Sequence, residues 1–296
     1  MATILTDLKE TFRKGNIYIQ LIYINAGIFI FTTLLEVMLK LFNRSLGSIF
    51  EWLELPASFT RLLIQPWSIL TYMFMHAGLM HILFNMLWLY WFGALFLNFF
   101  SAKHLRGVYI LGGICGGMLY MLAYNVFPYF SPMIEYSFML GASASVLAIV
   151  AATAYREPNY PIRMLFIGTI RLKYLALIVI GTDLLFITSN NAGGHLAHLG
   201  GALGGLWFAA RLSKGTDLTS WINKCLDALV SLFSFKSRKP KMNVHYGTNR
   251  QKDYDYNAKK KDQTEEIDRI LDKLKKSGYE SLTTEEKKSL FDASKR

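Results

Sequence analysis

The chain has 296 residues and a net charge of +11, with 52% hydrophobic and 18% charged residues and a mean hydropathy of +0.26. A soluble domain carries about 25% charged residues, and here the deficit is concentrated: 17–35, 63–102, 107–134 and 136–155 hold no formal charge. A helix needs about 20 apolar residues to cross about 30 Å of hydrocarbon, so an ordinary soluble enzyme, a disordered chain and a collagen-like chain are excluded.

Residues 1–16 read as a cytoplasmic N-terminus. They carry Asp7, Lys9, Glu10, Arg13 and Lys14, and the apolar run after them is too long for a cleaved signal. Six spans follow, at 17–41, 78–98, 107–127, 138–155, 172–188 and 193–211. The fold class is therefore all-α: a polytopic six-helix membrane bundle over 17–212 with a cytoplasmic C-terminal tail.

Loop charges orient the bundle. Lys9, Arg13, Lys14, Lys103, Arg106, Arg156, Arg163, Arg171, Lys173, Arg211 and Lys214 fall on one side, against Lys40, Arg44 and Arg61 on the other. The positive-inside rule puts both termini in the cytoplasm, with a bacterial cytoplasmic membrane as the expected location. It also accounts for the basic balance without a nucleic-acid partner. The two cysteines, Cys115 and Cys225, suggest no disulfide framework. The 42–77 connection lies outside and is rich in Trp, Phe and Leu, so it is expected in the membrane interface.

Polar residues inside spans are costly and mark sites. Spans 2, 4 and 6 run inward from the outer surface. His81 and Asn85 stand at i and i+4 near the outer end of span 2 and share a face. Ser143 in span 4 and His198 in span 6 both lie about 7 Å below the surface. Serine needs a base to take its proton, and histidine is the usual one. An oxyanion needs donors, which an Asn amide, a His N–H and a backbone N–H can supply. Gly201 and Gly205 follow His198 on its own face, and Ala144, Ala148 and Ala152 are four apart in span 4. Small residues of this kind let two helix backbones approach closely.

These residues carry a resemblance. Gly141-Ala142-Ser143-Ala144, then Ala197-His198-Leu199-Gly200-Gly201 with the histidine 55 residues after the serine, is similar to the rhomboid intramembrane serine proteases. The stretch from Trp67 through His76 and His81 to Asn85 resembles that family's second-helix signature, H-x₄-H-x₃-N. The resemblance covers 17–212. It implies a Ser–His dyad, with Ser143 as nucleophile and His198 as general base. His81 and Asn85 would be oxyanion donors, His76 a hydrogen-bonder at the mouth, and Gly141 a support of the site. It also implies that 42–77 is a membrane-embedded first loop and that the substrate is a transmembrane helix cut near its outer end. The chain departs from the family pattern at Ala144 (usually Gly), Leu147 (often aromatic), Ser68 (often Arg) and Leu97 (near a common Glu).

Other readings remain. Asp183 lies level with Ser143. A structural hydrogen bond to a neighbouring helix is expected of it, with service as a triad acid as the alternative. His195 is expected at the rim. The histidines come with no thiolate and at most one carboxylate, so no metal and no cofactor are expected. Rival functions are a non-proteolytic rhomboid-like binder of membrane helices and a small His-lined transporter.

The tail divides into three. Residues 213–235 contain an amphipathic helix with Trp221, Ile222, Cys225, Leu226, Leu229 and Phe233 on one stripe, expected on the inner membrane surface. Residues 236–262 are basic, nearly free of aliphatics, and read as a disordered linker drawn to anionic lipid. Residues 263–296 read as a small helical hairpin. Ile267, Ile270, Leu271 and Leu274 form its first stripe, and Thr283 with Glu286 makes a capping box for its second helix. The expected partners are transmembrane substrates and the lipid bilayer; any partner of the hairpin is unknown.

Overall fold

A computed structural model describes Phe12 and residues 15–44, 47–164, 168–233 and 250–294. The calls on residues 1–11, on Arg13 and Lys14, and on 234–249 of the basic linker lie outside the described residues. The first structural unit contains helices α1 (Ile17–Leu41), α2 (Leu79–Phe96), α3 (Ala102–Val126), α4 (Ser143–Arg156), α5 (Leu172–Leu185), α6 (Ala192–Leu212) and α7 (Ser220–Phe233). The second holds α8 (Arg250–Ser277) and α9 (Thr284–Ser294). The first unit also holds short helices at Gly47–Glu51, Phe59–Ile64 and Ser68–Thr71, and two small antiparallel sheets: β1 (Leu55–Pro56) with β2 (Phe138–Met139), and β3 (Pro161–Met164) with β4 (Gly168–Arg171).

Helices α1, α2 and α3 are long and apolar enough to cross a membrane. Helices α4 and α5 have 14 residues each, a rise of only about 21 Å. The fourth expected span, 138–155, is corrected accordingly. Its first residues are strand, with Met139 paired to Leu55. Gly141 then takes φ +132°, which no α-helix contains, and the helix starts at Ser143. Helix α3 starts five residues before its expected span, because Ser101 caps it by accepting a hydrogen bond from the His104 N–H at 3.2 Å.

The core is α3, α4 and α6. From Ala144 to Ala154 every residue of α4 is buried. Glycines set the spacing. A Cβ on Gly201 would stand 2.1 Å from the Ala144 carbonyl oxygen, and one on Gly205 2.1 Å from that of Ala148. On the other side, a Cβ on Gly112 would meet Ala148 Cβ at 2.2 Å, and one on Gly116 would meet Ala144 Cβ at 2.6 Å. Backbones in such contact leave no room for a side chain, and packing of this kind holds helices together where lipid is as apolar as leucine.

The long connection before α2 folds on itself. Trp52 and Trp67 stack at 5.8 Å, and the Trp67 indole donates to the Trp52 carbonyl at 2.7 Å. Leu55 and Ala57 are buried, while Phe59, Leu63 and Ile64 stay exposed. Exposed apolar side chains on a polar-satisfied backbone suit an interfacial element.

Helix α7 is fastened to the start of α3. The Arg106 Nε donates to Asn223 Oδ1 at 2.8 Å, and its Nη2 pairs with Asp227 at 2.8 Å. Ile222 is buried, whereas Trp221, Leu229 and Val230 remain exposed. In the second unit, helix α8 begins at Arg250, which corrects the disordered reading of 250–262. That stretch has no proline or glycine up to Ser277 and carries i,i+4 charge pairs such as Lys261 and Glu265 at 3.8 Å, so helix propensity suffices without an apolar stripe. Gly278, at φ +78°, ends α8. The capping box is reciprocal: Glu286 Oε2 accepts from the Thr283 N–H at 2.8 Å, and Thr283 Oγ1 accepts from the Glu286 N–H at 3.2 Å. Among the described residues of this unit, Ile270 and Leu282 are the buried apolar ones.

Candidate active site

A cavity of about 420 Å³ opens between α2, α4, α5 and α6. Its lining contains His81, Asn85, Ser143, Leu147, Asn191 and His198. A second cavity, about 540 Å³, lies against the start of α3 and the ends of α4 and α6, beside Ser101, His104 and Arg156. Size does not decide between them. Ser101 is spent as the cap of α3, and no second histidine faces it in that lining. The smaller cavity joins a serine to two histidines and an amide.

Ser143 is the first residue of α4, so its backbone N–H belongs to the amides that a helix leaves free at its N-terminus. It is reached through Gly141. The Gly141 N–H donates to the Tyr72 carbonyl at 2.9 Å. A Cβ there would meet the His81 Nε2 and Cε1 at 3.0 Å and Ser143 Oγ at 3.6 Å. Both the backbone angle and the space therefore require glycine. The same contact shows that the Nε2 edge of His81 faces the loop that delivers Ser143.

His81 Nδ1 accepts a long hydrogen bond, 3.4 Å, from the Ala77 N–H. An acceptor at Nδ1 puts the ring proton on Nε2, the atom on the site side. Asn85 spends one N–H on the His81 carbonyl, 2.9 Å away, which fixes its amide and leaves its second N–H available. His76 packs edge-on against His81, with ring centroids 5.2 Å apart. Its ring nitrogens are buried and meet no side-chain partner among the described residues. Burial first, and the neighbouring His81 second, push His76 down to about 4, so it is neutral at pH 7.

His198 does not stand alone. Its Nδ1 lies 2.9 Å from Asp183 Oδ1, and the Nδ1 of His195 lies 2.8 Å from the same oxygen. Asp183 is only 5% exposed. His195 packs on Phe186 at 6.1 Å and stands edge-on to His198 at 6.2 Å. The direction of Asp183 was left open by the sequence. His195 and His198, at i and i+3, shared a face, and that spacing was the available signal for a shared partner on the next helix.

These features define a helical membrane protein with a buried polar site. The profile of the Rhomboid domain matches residues 64–215, more than half of the chain, and the chain belongs to the rhomboid family. Residues 250–296 match a family of unknown function. RHOMBOID-like protein 12, mitochondrial, of Arabidopsis thaliana is 30% identical over 157 residues, covering 50% of this chain and 47% of that protein. Rhomboid protease GluP of Bacillus subtilis is 30% identical over 148 residues, covering 49% of this chain and 26% of that protein. RHOMBOID-like protein 7 of Arabidopsis thaliana is 27% identical over 150 residues, covering 48% and 41%. The matches thus span less than half the length of each of these relatives.

Proposed function

We propose that the protein is an intramembrane serine endopeptidase that cuts transmembrane helices of single-span proteins near their outer end. The observation that supports this best is the one cavity shared by Ser143, His198, His81 and Asn85. In the reaction, Ser143 Oγ attacks the scissile carbonyl and His198 takes its proton. With Nδ1 turned to Asp183, Nε2 is the nitrogen left for that proton. The tetrahedral oxyanion is held by the Ser143 N–H, His81 Nε2–H and the free Asn85 N–H. Removal of one such donor typically costs about 3 kcal/mol of barrier. The protonated His198 then gives its proton to the leaving amine as the C–N bond breaks. Water then attacks the acyl carbon as His198 takes its proton, and His198 returns that proton to Ser143 Oγ as the ester C–O bond breaks and the acid product leaves.

The substrate helix must unwind first, because a helical peptide bond is hydrogen-bonded and hidden from the nucleophile. The reading assigns six spans, α1 to α6, with both termini in the cytoplasm of a bacterial cell. The short α4 is compatible with it. A helix buried in protein needs no lipid-facing length, and irregular backbone such as 138–142 is tolerated at membrane depth where protein covers it. No metal or cofactor enters the mechanism. A non-proteolytic binder of membrane helices is the second reading. It is favoured by Leu147, an aliphatic side chain in the cavity lining at the position that often carries an aromatic ring in active relatives.

The test is cleavage of a single-span substrate, with small and helix-breaking residues near its outer end, in liposomes. Wild type is expected to cleave, and Ser143→Ala and His198→Ala to be silent. A fluorophosphonate is expected to label Ser143. Cleavage that persists in Ser143→Ala sinks the assignment. Absence of both cleavage and labelling in wild type favours the binder.

A further inference from the structure

Among the described residues, Asp183 is the only buried acid. It sits on α5, whose Leu177, Ile178, Leu184 and Leu185 are exposed and apolar. A carboxylate at such a place is costly unless donors meet it. Two do, and both reach one atom: His195 Nδ1 at 2.8 Å and His198 Nδ1 at 2.9 Å from Oδ1. Among the described residues, no hydrogen-bond partner meets the other, buried oxygen, Oδ2. The direction of the carboxylate is therefore set by the two histidines alone.

An ionised carboxylate only accepts, so each of these contacts assigns a proton to Nδ1. That leaves Nε2 of His198 as a lone pair, which is the tautomer a base needs. The three groups lie within 4.8 Å of one another, a spacing that could also hold a metal ion. The distances favour a proton. Ligands about 2.0–2.1 Å from a tetrahedral zinc sit about 3.3 Å apart from one another, whereas these pairs are at hydrogen-bond length. Because Leu147 presents no ring to the cavity, the polar contact is the one that orients the base.

We propose that Asp183 is a positioning residue for His198, holding it in the Nδ1–H tautomer and stabilising its imidazolium after Ser143 gives up its proton, with His195 as a second donor to the same carboxylate oxygen. The site is then a Ser–His–Asp triad spread over three helices, with the proton held on His198. The dyad that the family resemblance implies is supplemented by an acid from α5. This rests on the protease reading, and the test separates the two.

Steady-state cleavage in liposomes is compared for wild type, Asp183→Asn and Asp183→Glu, with folding checked by thermal unfolding. Asp183→Asn is expected to lower kcat at least ~100-fold with KM within about threefold, and Asp183→Glu to recover about tenfold of the loss. A kcat within about fivefold of wild type in Asp183→Asn overturns the proposal, as does a loss confined to KM. A purely structural role would lower the folded fraction without this split. Nitrogen NMR of ¹⁵N-histidine-labelled wild type reads the tautomer directly and requires neither cleavage nor a stable variant. Protonation of His198 at Nδ1 is expected, and protonation at Nε2 overturns the proposal. Cleavage retained by Ser143→Ala instead removes the protease reading, while the tautomer measurement still stands or falls by itself.

Discussion

The inner and outer helices of the first unit are held by different forces. Helices α3, α4 and α6 meet backbone to backbone through Gly112, Gly116, Gly201 and Gly205. Helix α1 is more apolar on average than any of these three, yet its buried residues are only Leu21 and Asn25. Its polar tie is Asn25, whose amide donates to the Tyr109 hydroxyl at 3.1 Å, while that hydroxyl donates to the Met73 carbonyl at 3.1 Å. Helix α5 likewise buries Asp183 beside Leu172, Leu175 and Ala176. Apolar surface cannot decide which helix goes to the centre when lipid tails are equally apolar. Small residues that permit contact, and buried polar groups that demand it, decide. The two outer ties differ in one respect: Asn25 reaches a scaffold tyrosine, and Asp183 reaches a histidine of the cavity.

The largest expected effect comes from closing an inner contact. Gly205→Leu sets a side chain against the Ala148 carbonyl, where even a Cβ would stand at 2.1 Å. Helix propensity gains about 1 kcal/mol by losing a glycine. Overpacking against backbone costs more, about 3 kcal/mol, so a lower thermal midpoint in detergent and loss of cleavage are expected. An unchanged midpoint would break the distinction between inner and outer helices. Asn25→Leu keeps the volume and removes the tie of α1. An interhelical hydrogen bond in a membrane is worth about 0.6–1.7 kcal/mol, so amide exchange is expected to rise in α1 while α3 and α6 stay protected.

Acid tests the mouth of the site. The His76 ring titrates near 6.5 when unfolded and about 4 when folded. Its folded value is depressed, so the unfolded chain binds the proton more readily. The stability that neutral His76 carries is whole above pH 6.5 and is lost as pH falls from there to about 4. Unfolding midpoints measured across that window are expected to fall more steeply in wild type than in His76→Gln. The smallest effect is expected at Leu184→Ala, on the exposed face of α5 at 61% exposure. Stability is expected to change by no more than about 0.5 kcal/mol, and a larger loss would show that α5 packs against more than the cavity.

Much of the fold was legible. The expected spans 17–41, 78–98 and 193–211 meet the ends of α1, α2 and α6 to within about two residues, the accuracy at which helix ends are defined at all. The start of α4 was not legible, because 138–142 is as apolar as a helix. Its strand pairing depends on Leu55, more than eighty residues earlier in the chain. In the tail, the Thr283 and Glu286 box was readable from spacing, whereas helix 250–262 was missed because charge was read as disorder. In the site, His81 and Asn85 of the H-x₄-H-x₃-N spacing, with Ser143 and His198 of the serine and histidine motifs, line one cavity, whereas His76 is absent from that lining. The glycine pairs of α3, at 112–113 and 116–117, carried the same small-residue pattern as α6 and were overlooked.

The amino-acid sequence by itself determined the membrane class, because hydropathy is a local quantity that adds along the chain, and the rhomboid family, because its short motifs are contiguous in the chain. Only the tertiary structure decided which of the polar residues meet. The direction of a side chain depends on the rotation of its helix against neighbours. Thus His76 turns its ring to His81, Gly141 swings Ser143 to the tip of α4, and Asp183 reaches back to His198 through one oxygen that two histidines share.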